Sequence, residues 1–85
     1  MPVISRFFGI IVYINWKDHS PPHFHAKYQD DEIIMEIKTG KTTGYFSQKG
    51  KQLLNEWREI HLNDLLEDWT LAENNMRLKN ISPLE

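Results

Sequence analysis

Three histidines lie within seven residues and form the densest group of ligating or titratable side chains in the chain. They are His19, His23 and His25, and Pro21-Pro22 separates the first from the other two. In an extended chain, His23 and His25 share one face at about 7 Å, close enough to hold one metal ion or one phosphate. His19 or Asp18 would complete a set of three ligands for a divalent metal.

The same residues also allow chemistry without a metal. Histidine titrates near neutral pH and serves as a general acid or base, so His23 and His25 could act on a phosphate while Tyr13 and Lys27 orient or stabilise the anion. A purely structural interpretation competes with both: residues 19–23 would form a rigid, hydrogen-bonded turn that sets the register of two strands.

Alternating apolar residues predict the strands that must position these side chains. The pattern covers residues 8–16, 23–28, 32–37 and 41–46, the last of them weakened by Gly44. The alternation predicts a sheet face that helices cover, consisting of Phe8, Ile10, Val12, Ile14, Trp16, Phe24, Ala26, Tyr28, Ile33, Met35 and Ile37.

Helical spacing follows the last strand. Ser47 is a candidate N-cap for a first helix with its apolar stripe at Leu53, Leu54, Trp57, Ile60 and His61. Asn63-Asp64 marks a break, and Asp64 with Glu67 resembles a capping box before a second stripe at Leu65, Leu66, Trp69, Ala72 and Met76. Residues 78–85 are expected to lie extended against the body.

This order of elements makes the fold class α+β. We expect a short antiparallel sheet of three or four strands with two C-terminal helices packed on one face, in a single domain covering residues 1–85. The other sheet face then carries an apolar surplus at Ile11, Tyr13 and Ile34, which suggests a partner or self-association into a homo-oligomer. Burial under the C-terminal tail is the competing explanation.

Composition limits the classes of function. The 85 residues contain 10 Lys and Arg against 12 Asp and Glu, a net charge of −2, which argues against a strong nonspecific nucleic-acid binder. The absence of cysteine excludes thiolate zinc sites and cysteine nucleophiles and fits a cytoplasmic protein. No apolar run approaches the length of a membrane span. A local basic stretch could still contact nucleic acid through Lys38, Lys41, Lys49 and Lys51.

Two segments resemble the signatures of a known family. Residues 4–10 (Ile-Ser-Arg-Phe-Phe-Gly-Ile) and 18–26 (Asp-His-Ser-Pro-Pro-His-Phe-His-Ala) are similar to those of the short prokaryotic proteins called domain of unknown function 4160. The likeness continues at Trp57, His61, Leu65-Leu66 and Trp69. The resemblance implies a regulatory or interaction role beside a small co-encoded protein, in a toxin–antitoxin-like arrangement, and it supplies no catalytic residue.

Two functions are therefore expected. The first is a small cytosolic protein-interaction or regulatory module that needs no cofactor and has a partner-binding face formed by Ile11, Tyr13, His19, His23, His25 and Ile34. The second is a small RNA-directed nuclease or toxin that uses His23 and His25, assisted by Lys27 and Tyr13. A divalent metal at His19, His23 and His25 is compatible with either function, and whether the chain is an enzyme stays open.

Overall fold

The chain folds as an antiparallel meander of five strands followed by two helices, in a computed structural model that describes residues 2–85. The elements are β1 (Val3–Phe7), β2 (Ile10–Tyr13), β3 (His23–Tyr28), β4 (Asp31–Glu36), β5 (Thr42–Gly44), α1 (Gln48–Ile60) and α2 (Leu62–Glu73). Each strand pairs with its neighbours in sequence, in the order β1-β2-β3-β4-β5. The α+β class is confirmed, and the sheet has one strand more than the largest number expected.

The extra strand comes from a hairpin concealed within the first apolar run. Phe7 of β1 pairs with Ile10 of β2, so Phe8 and Gly9 form a two-residue turn. Their φ angles are 51° and 81°, both in the left-handed region that such tight hairpin turns require. Because Phe8 is an unusual residue at this position, the apolar alternation continues through the turn and predicts one long strand where the chain reverses.

Most of the expected covered face is buried. Its buried members are Ile10, Val12, Ile14, Phe24, Ala26, Ile33, Met35 and Ile37. The prediction is wrong for Phe8, Trp16 and Tyr28, which are 59%, 46% and 40% exposed. Phe8 lies in the hairpin turn, Trp16 lies beyond the end of β2, and Tyr28 is the last residue of β3.

The first helix begins where its sequence predicts. Ser47 adopts the extended conformation of an N-cap, and its Oγ accepts a hydrogen bond from the Gly50 N–H at 3.0 Å. On the buried side of α1, Trp57 packs against Phe7 of β1 and Phe24 of β3, with ring centroids 5.4 and 5.7 Å apart. No helix within residues 2–85 is long and apolar enough to cross a membrane.

The boundary between the helices differs from the prediction. Helix α2 begins at Leu62, and His61 is both the C-cap of α1 and the N-cap of α2 without a side-chain capping bond. The expected break at Asn63-Asp64 and its capping box with Glu67 are therefore wrong, because these residues already lie inside the helix. Met76, expected on the apolar stripe, follows the end of α2 and is exposed.

The C-terminal tail packs on the body as expected. Ile81 and Leu84 are buried, and the Ile81 N–H donates to the Ile4 carbonyl at 2.8 Å. The indole Nε1–H of Trp57 donates to the Ser82 carbonyl at 2.8 Å. The tail thus closes the core from the side of β1 and α1.

Asp68 of α2 anchors the start of this tail. Its side chain is buried, and Oδ1 accepts the Lys79 N–H at 2.9 Å, whereas Oδ2 has no hydrogen-bond partner among residues 2–85. Burial raises the pKa of Asp68, and the hydrogen bond from Lys79 only partly opposes this effect. The ionised form of Asp68 is therefore disfavoured in the folded protein.

We expect Ile81→Ala to lower the free energy of unfolding by about 2–5 kcal/mol, because it leaves a cavity under the tail. Ile60→Ala is the matched control: Ile60 is 62% exposed, and a surface substitution changes stability by about 0.5 kcal/mol or less. Urea denaturation measures both. Equal effects of the two substitutions would show that the tail does not contribute to the core.

Asp68→Asn should become more stable relative to the wild type as the pH rises from 3 to 7. The folded pKa of Asp68 lies above its unfolded value, so the stability that Asp68 contributes is lost as the pH rises through the folded pKa, and asparagine does not ionise. Urea denaturation at both pH values measures this difference. Asp68→Ala, which removes the acceptor for Lys79, should destabilise at both. A relative loss of stability by Asp68→Asn at pH 7 would contradict the account.

Candidate functional site

Two imidazoles from β3 face one carboxylate from the loop before it. His23 and His25 are the first and third residues of β3, and they point away from the side of the sheet that carries Phe24. Both His23 Nε2 and His25 Nε2 approach Asp18 Oδ2, at 3.0 and 3.3 Å. Asp18, His23 and His25 each offer a ligating atom, and these three atoms lie within 4.8 Å of one another.

Asp18 is held in place by the next residue. The backbone N–H of His19 donates to Asp18 Oδ1 at 2.8 Å, and His19 Nδ1 lies 3.0 Å from the same oxygen. Burial alone would raise the pKa of Asp18, but the His19 N–H, then His25 and His23, outweigh it, and the net pKa lies below the ordinary value. The carboxylate is therefore ionised at neutral pH.

His23 is the most enclosed member of the group. Its residue is 5% exposed, its ring packs on Trp69 of α2 with centroids 5.2 Å apart, and its Nδ1 lies 2.8 Å from the Pro21 carbonyl oxygen. A carbonyl oxygen only accepts, so His23 Nδ1 carries the hydrogen of this bond. The ring is thus fixed by the Pro21 carbonyl on one side and Asp18 on the other.

His25 belongs to a second group on the same sheet face. Its ring stacks on Tyr13, its register partner on β2, with centroids 4.8 Å apart and an interplanar angle of 11°. The Tyr13 hydroxyl donates to Glu32 Oε2 at 2.5 Å, and His25 Nδ1 lies 3.8 Å from the same oxygen. That nitrogen is buried and has no hydrogen-bond partner within residues 2–85.

Glu32 also affects the ionisation of Tyr13. Burial, the hydrogen bond to Glu32 and the negative charge of Glu32, in that order, raise the pKa of Tyr13 to about 12. Lys27 adds a positive charge 5.7 Å from the centre of the Tyr13 ring. The structure thus brings together the four residues expected for catalysis, with the Tyr13 hydroxyl already bonded to a carboxylate.

The residues expected to bind a partner differ in accessibility. Tyr13 and His23 are buried, Ile11 and Ile34 are half-buried, and the His19 side chain is 88% exposed. This sheet face therefore exposes less apolar surface than the alternation suggested.

The four lysines expected at a nucleic-acid surface lie in two places. Lys38 and Lys41 belong to the β4–β5 connection, and Lys49 and Lys51 to the first turn of α1. Arg58 of α1 joins these elements, since its guanidinium donates to a main-chain carbonyl just after β4 at 2.9 Å.

The structure also contains an apolar cleft that the sequence did not indicate. It has a volume of about 250 Å³ and lies between the β1–β2 hairpin and the beginning of α1. Phe8 and Tyr28 form part of its lining with Phe46 and Leu53, and two lining residues carry opposite charges, Lys49 and Asp31. The exposed aromatic at a hairpin turn was the available signal, but it could be recognised only once the turn was located.

Glu32 is the other site residue that sequence reasoning missed. It lies on β4 opposite Lys27, diagonal to His25, so the pairing register between β3 and β4 is what places it at the site. Alternation with Ile33 puts Glu32 on the face opposite the core, but the pairing register cannot be read from the alternation alone.

We expect Glu32→Gln to bring the pKa of Tyr13 down from about 12 but leave it above 10.0, because burial is the largest cause of the shift. Tyrosinate absorbance followed through an alkaline titration measures this pKa. The Tyr13→Phe variant shows which part of the titration belongs to Tyr13. Since the folded pKa is the higher one, the contribution of Tyr13 to stability is present below pH 10.0 and lost as the pH rises through about 12. An unchanged titration in Glu32→Gln would show that Glu32 does not act on Tyr13.

Comparison with known proteins identifies a family for this chain. The model of the family described as Domain of unknown function (DUF4160) matches residues 9–70, which include the histidine group and both helices up to Thr70. Searches of the curated proteins and of the solved structures find no match. Because the match covers more than half of the 85 residues, the chain belongs to the DUF4160 family.

Proposed function

We propose that this protein is a small regulatory module that binds a protein partner, and that the apolar cleft beside the β1–β2 hairpin is its docking surface. The observation that carries the proposal is the position of Phe8. Its φ is 51° and its side chain is 59% exposed.

Phe8 is unfavourable for folding in two respects. A left-handed conformation is uncommon for residues other than glycine, asparagine and aspartate, and it costs a bulky side chain about 1–2 kcal/mol. Burial offsets little of this cost, since the side chain is 59% exposed and the ring meets the Phe7 ring edge-on with centroids 6.3 Å apart. Recognition of a partner accounts for an aromatic residue at a position where turn formation and solvation both disfavour it.

The surroundings of Phe8 suit an apolar side chain from a partner. Tyr28 packs over the backbone of Gly9, where an added Cβ would come within 2.9 Å of its ring, so the rim of the cleft is held in place. An apolar cavity of about 150 Å³ accepts a benzene-sized ring. The cleft of about 250 Å³ is large enough for an aromatic or branched aliphatic anchor.

The small co-encoded protein implied by the family resemblance is the partner we propose. A toxin–antitoxin-like pair requires one chain to recognise the other, and an apolar cleft with a rigid aromatic rim provides specific contact at low entropic cost. Ile11 and Ile34 lie half-buried on the sheet face, so we assign the main contact to the cleft.

The charges of the histidine group argue against the RNA-directed alternative. Both His23 Nε2 and His25 Nε2 approach Asp18, and Glu32 lies on the other side of His25. A phosphate at these imidazoles would lie against two carboxylates and would have to displace one of them. The site therefore favours cations over anions.

The experiment is co-expression with the product of the adjacent gene, followed by measurement of the affinity between the purified proteins. Phe8→Asn should weaken binding at least tenfold because it removes an aromatic anchor. The same substitution should leave the free energy of unfolding equal or higher, since asparagine tolerates the left-handed conformation. This combination separates loss of contact from loss of fold.

Ile60→Asn provides the matched control. Ile60 is exposed at the other end of α1, about 15 Å along the helix from the cleft, and its replacement should leave the affinity unchanged. Wild-type affinity in Phe8→Asn would exclude the cleft as the docking surface. Absence of any complex would contradict the proposed partner, and RNA cleavage lost in His25→Gln would favour the enzyme.

A further inference from the structure

The contact between His23 and Asp18 requires a positive charge. His23 Nδ1 donates its hydrogen to the Pro21 carbonyl, so Nε2 of the neutral ring carries a lone pair. That nitrogen lies 3.0 Å from Asp18 Oδ2, which also carries only lone pairs. Two such atoms repel unless a proton or a metal ion lies between them.

The two ring nitrogens of His25 face two carboxylates, Asp18 at hydrogen-bond distance and Glu32 beyond it. A hydrogen on Nε2 satisfies Asp18 at 3.3 Å but directs the lone pair of Nδ1 towards Glu32 Oε2 at 3.8 Å. A hydrogen on Nδ1 favours Glu32 and directs the lone pair of Nε2 towards Asp18. Each neutral form therefore leaves one nitrogen facing a carboxylate without a hydrogen.

The two rings are close together and enclosed: their centroids lie 5.2 Å apart, and their side chains are 6% and 12% exposed. One divalent ion would accept the Nε2 lone pairs of both rings and the carboxylate of Asp18 at the same time. Each Nδ1–H would then point towards the Pro21 carbonyl or Glu32.

The spacing of the three atoms agrees with a metal site. Tetrahedral coordination with bonds of about 2.05 Å separates neighbouring ligand atoms by about 3.3 Å. Asp18 Oδ2 lies 3.0 and 3.3 Å from the two Nε2 atoms. Two of the three separations thus match one tetrahedral ion, and all three ligand atoms lie within 4.8 Å of one another.

Surrounding groups orient these ligands as they do in metal sites. The second nitrogen of a metal-binding histidine almost always donates to a carbonyl or a carboxylate. The Pro21 carbonyl accepts this hydrogen bond from His23 at 2.8 Å. The Glu32 carboxylate, bonded to the Tyr13 hydroxyl, is the acceptor nearest to His25 Nδ1, at 3.8 Å. The His19 N–H holds the other oxygen of Asp18.

We propose that Asp18, His23 and His25 bind one divalent transition-metal ion, with Zn²⁺ as the preferred ion. Two imidazoles and one carboxylate suit Zn²⁺ and Co²⁺, whereas Mg²⁺ and Ca²⁺ prefer oxygen ligands alone. The fourth position is open to water or to His19, whose exposed ring lies 5.5 Å from that of His23. The ion ties the β2–β3 loop to β3, a role independent of the partner proposed above.

The test uses the full chain purified without a histidine tag, treated with a chelator and titrated with Zn²⁺ by calorimetry. We expect one ion per chain and a higher thermal midpoint with Zn²⁺, because the ion binds only the folded state. Co²⁺ should give the intense visible absorption of a tetrahedral site. Wild-type protein that binds neither ion, with its fold verified by near-ultraviolet circular dichroism, would overturn the proposal.

Three variants and one control locate the site. Asp18→Asn and His25→Gln should each weaken Zn²⁺ binding about 100-fold, and Glu32→Gln, which changes a positioning residue, about tenfold. His61→Ala is the matched control, since His61 Nδ1 lies 3.5 Å from Asp64 Oδ2 outside the group, and it should bind as the wild type does.

The pattern among the variants decides the assignment. Wild-type affinity in both Asp18→Asn and His25→Gln, or an equal loss in His61→Ala, would place the metal elsewhere and overturn the proposal. If one ligand variant fails to fold, the other variant and the Co²⁺ spectrum of the wild type still decide it.

Discussion

Burial of Trp57 is the interaction on which the rest of the structure depends. Its ring contacts Phe7 of β1 and Phe24 of β3, and its Nε1–H donates to the Ser82 carbonyl of the tail. The centroids of its ring and of the His61 ring lie 5.7 Å apart, at the junction of α1 and α2. One fully buried side chain therefore joins the sheet, the helical layer and the C-terminal tail. In a domain of 85 residues the core is small, so few other side chains can connect all three parts.

Strand β3 connects this packed core with the histidine group. Phe24 and Ala26 are fully buried on the helix side, and the strand's two-residue period directs His23 and His25 to the opposite side. Trp69 of α2 then packs on His23 at the end of the sheet. The helices that close the core thus also exclude water from one imidazole, so the geometry of the site follows from the fold as a whole.

Local patterns made the middle of the sheet, the start of α1 and the packed tail predictable. The alternation in β3 and β4, the Ser47 cap and the packed tail follow from periodicity and hydrogen-bonding rules that act over a few residues. The hairpin at Phe8 was hidden because an aromatic occupies a position where asparagine or glycine normally marks the turn. The sequence offered either His19 or Asp18 as the third ligand, and the conformation of the loop decides in favour of Asp18. The position of Glu32 beside His25 depends on the pairing register of β3 and β4, which the sequence does not show.

The histidine group and the apolar cleft lie towards opposite ends of β3. His23 begins the strand and Tyr28 ends it, and five residues of extended chain separate them by about 17 Å. Substitutions at sites more than about 10 Å apart, without shared partners, have nearly additive effects on stability. The proposed metal ion at Asp18 and the proposed partner at the cleft would therefore affect the stability of the fold nearly independently of each other. Cooperation between the two sites would require a change in the sheet itself, and the continuous pairing of β3 with β2 and β4 opposes such a change.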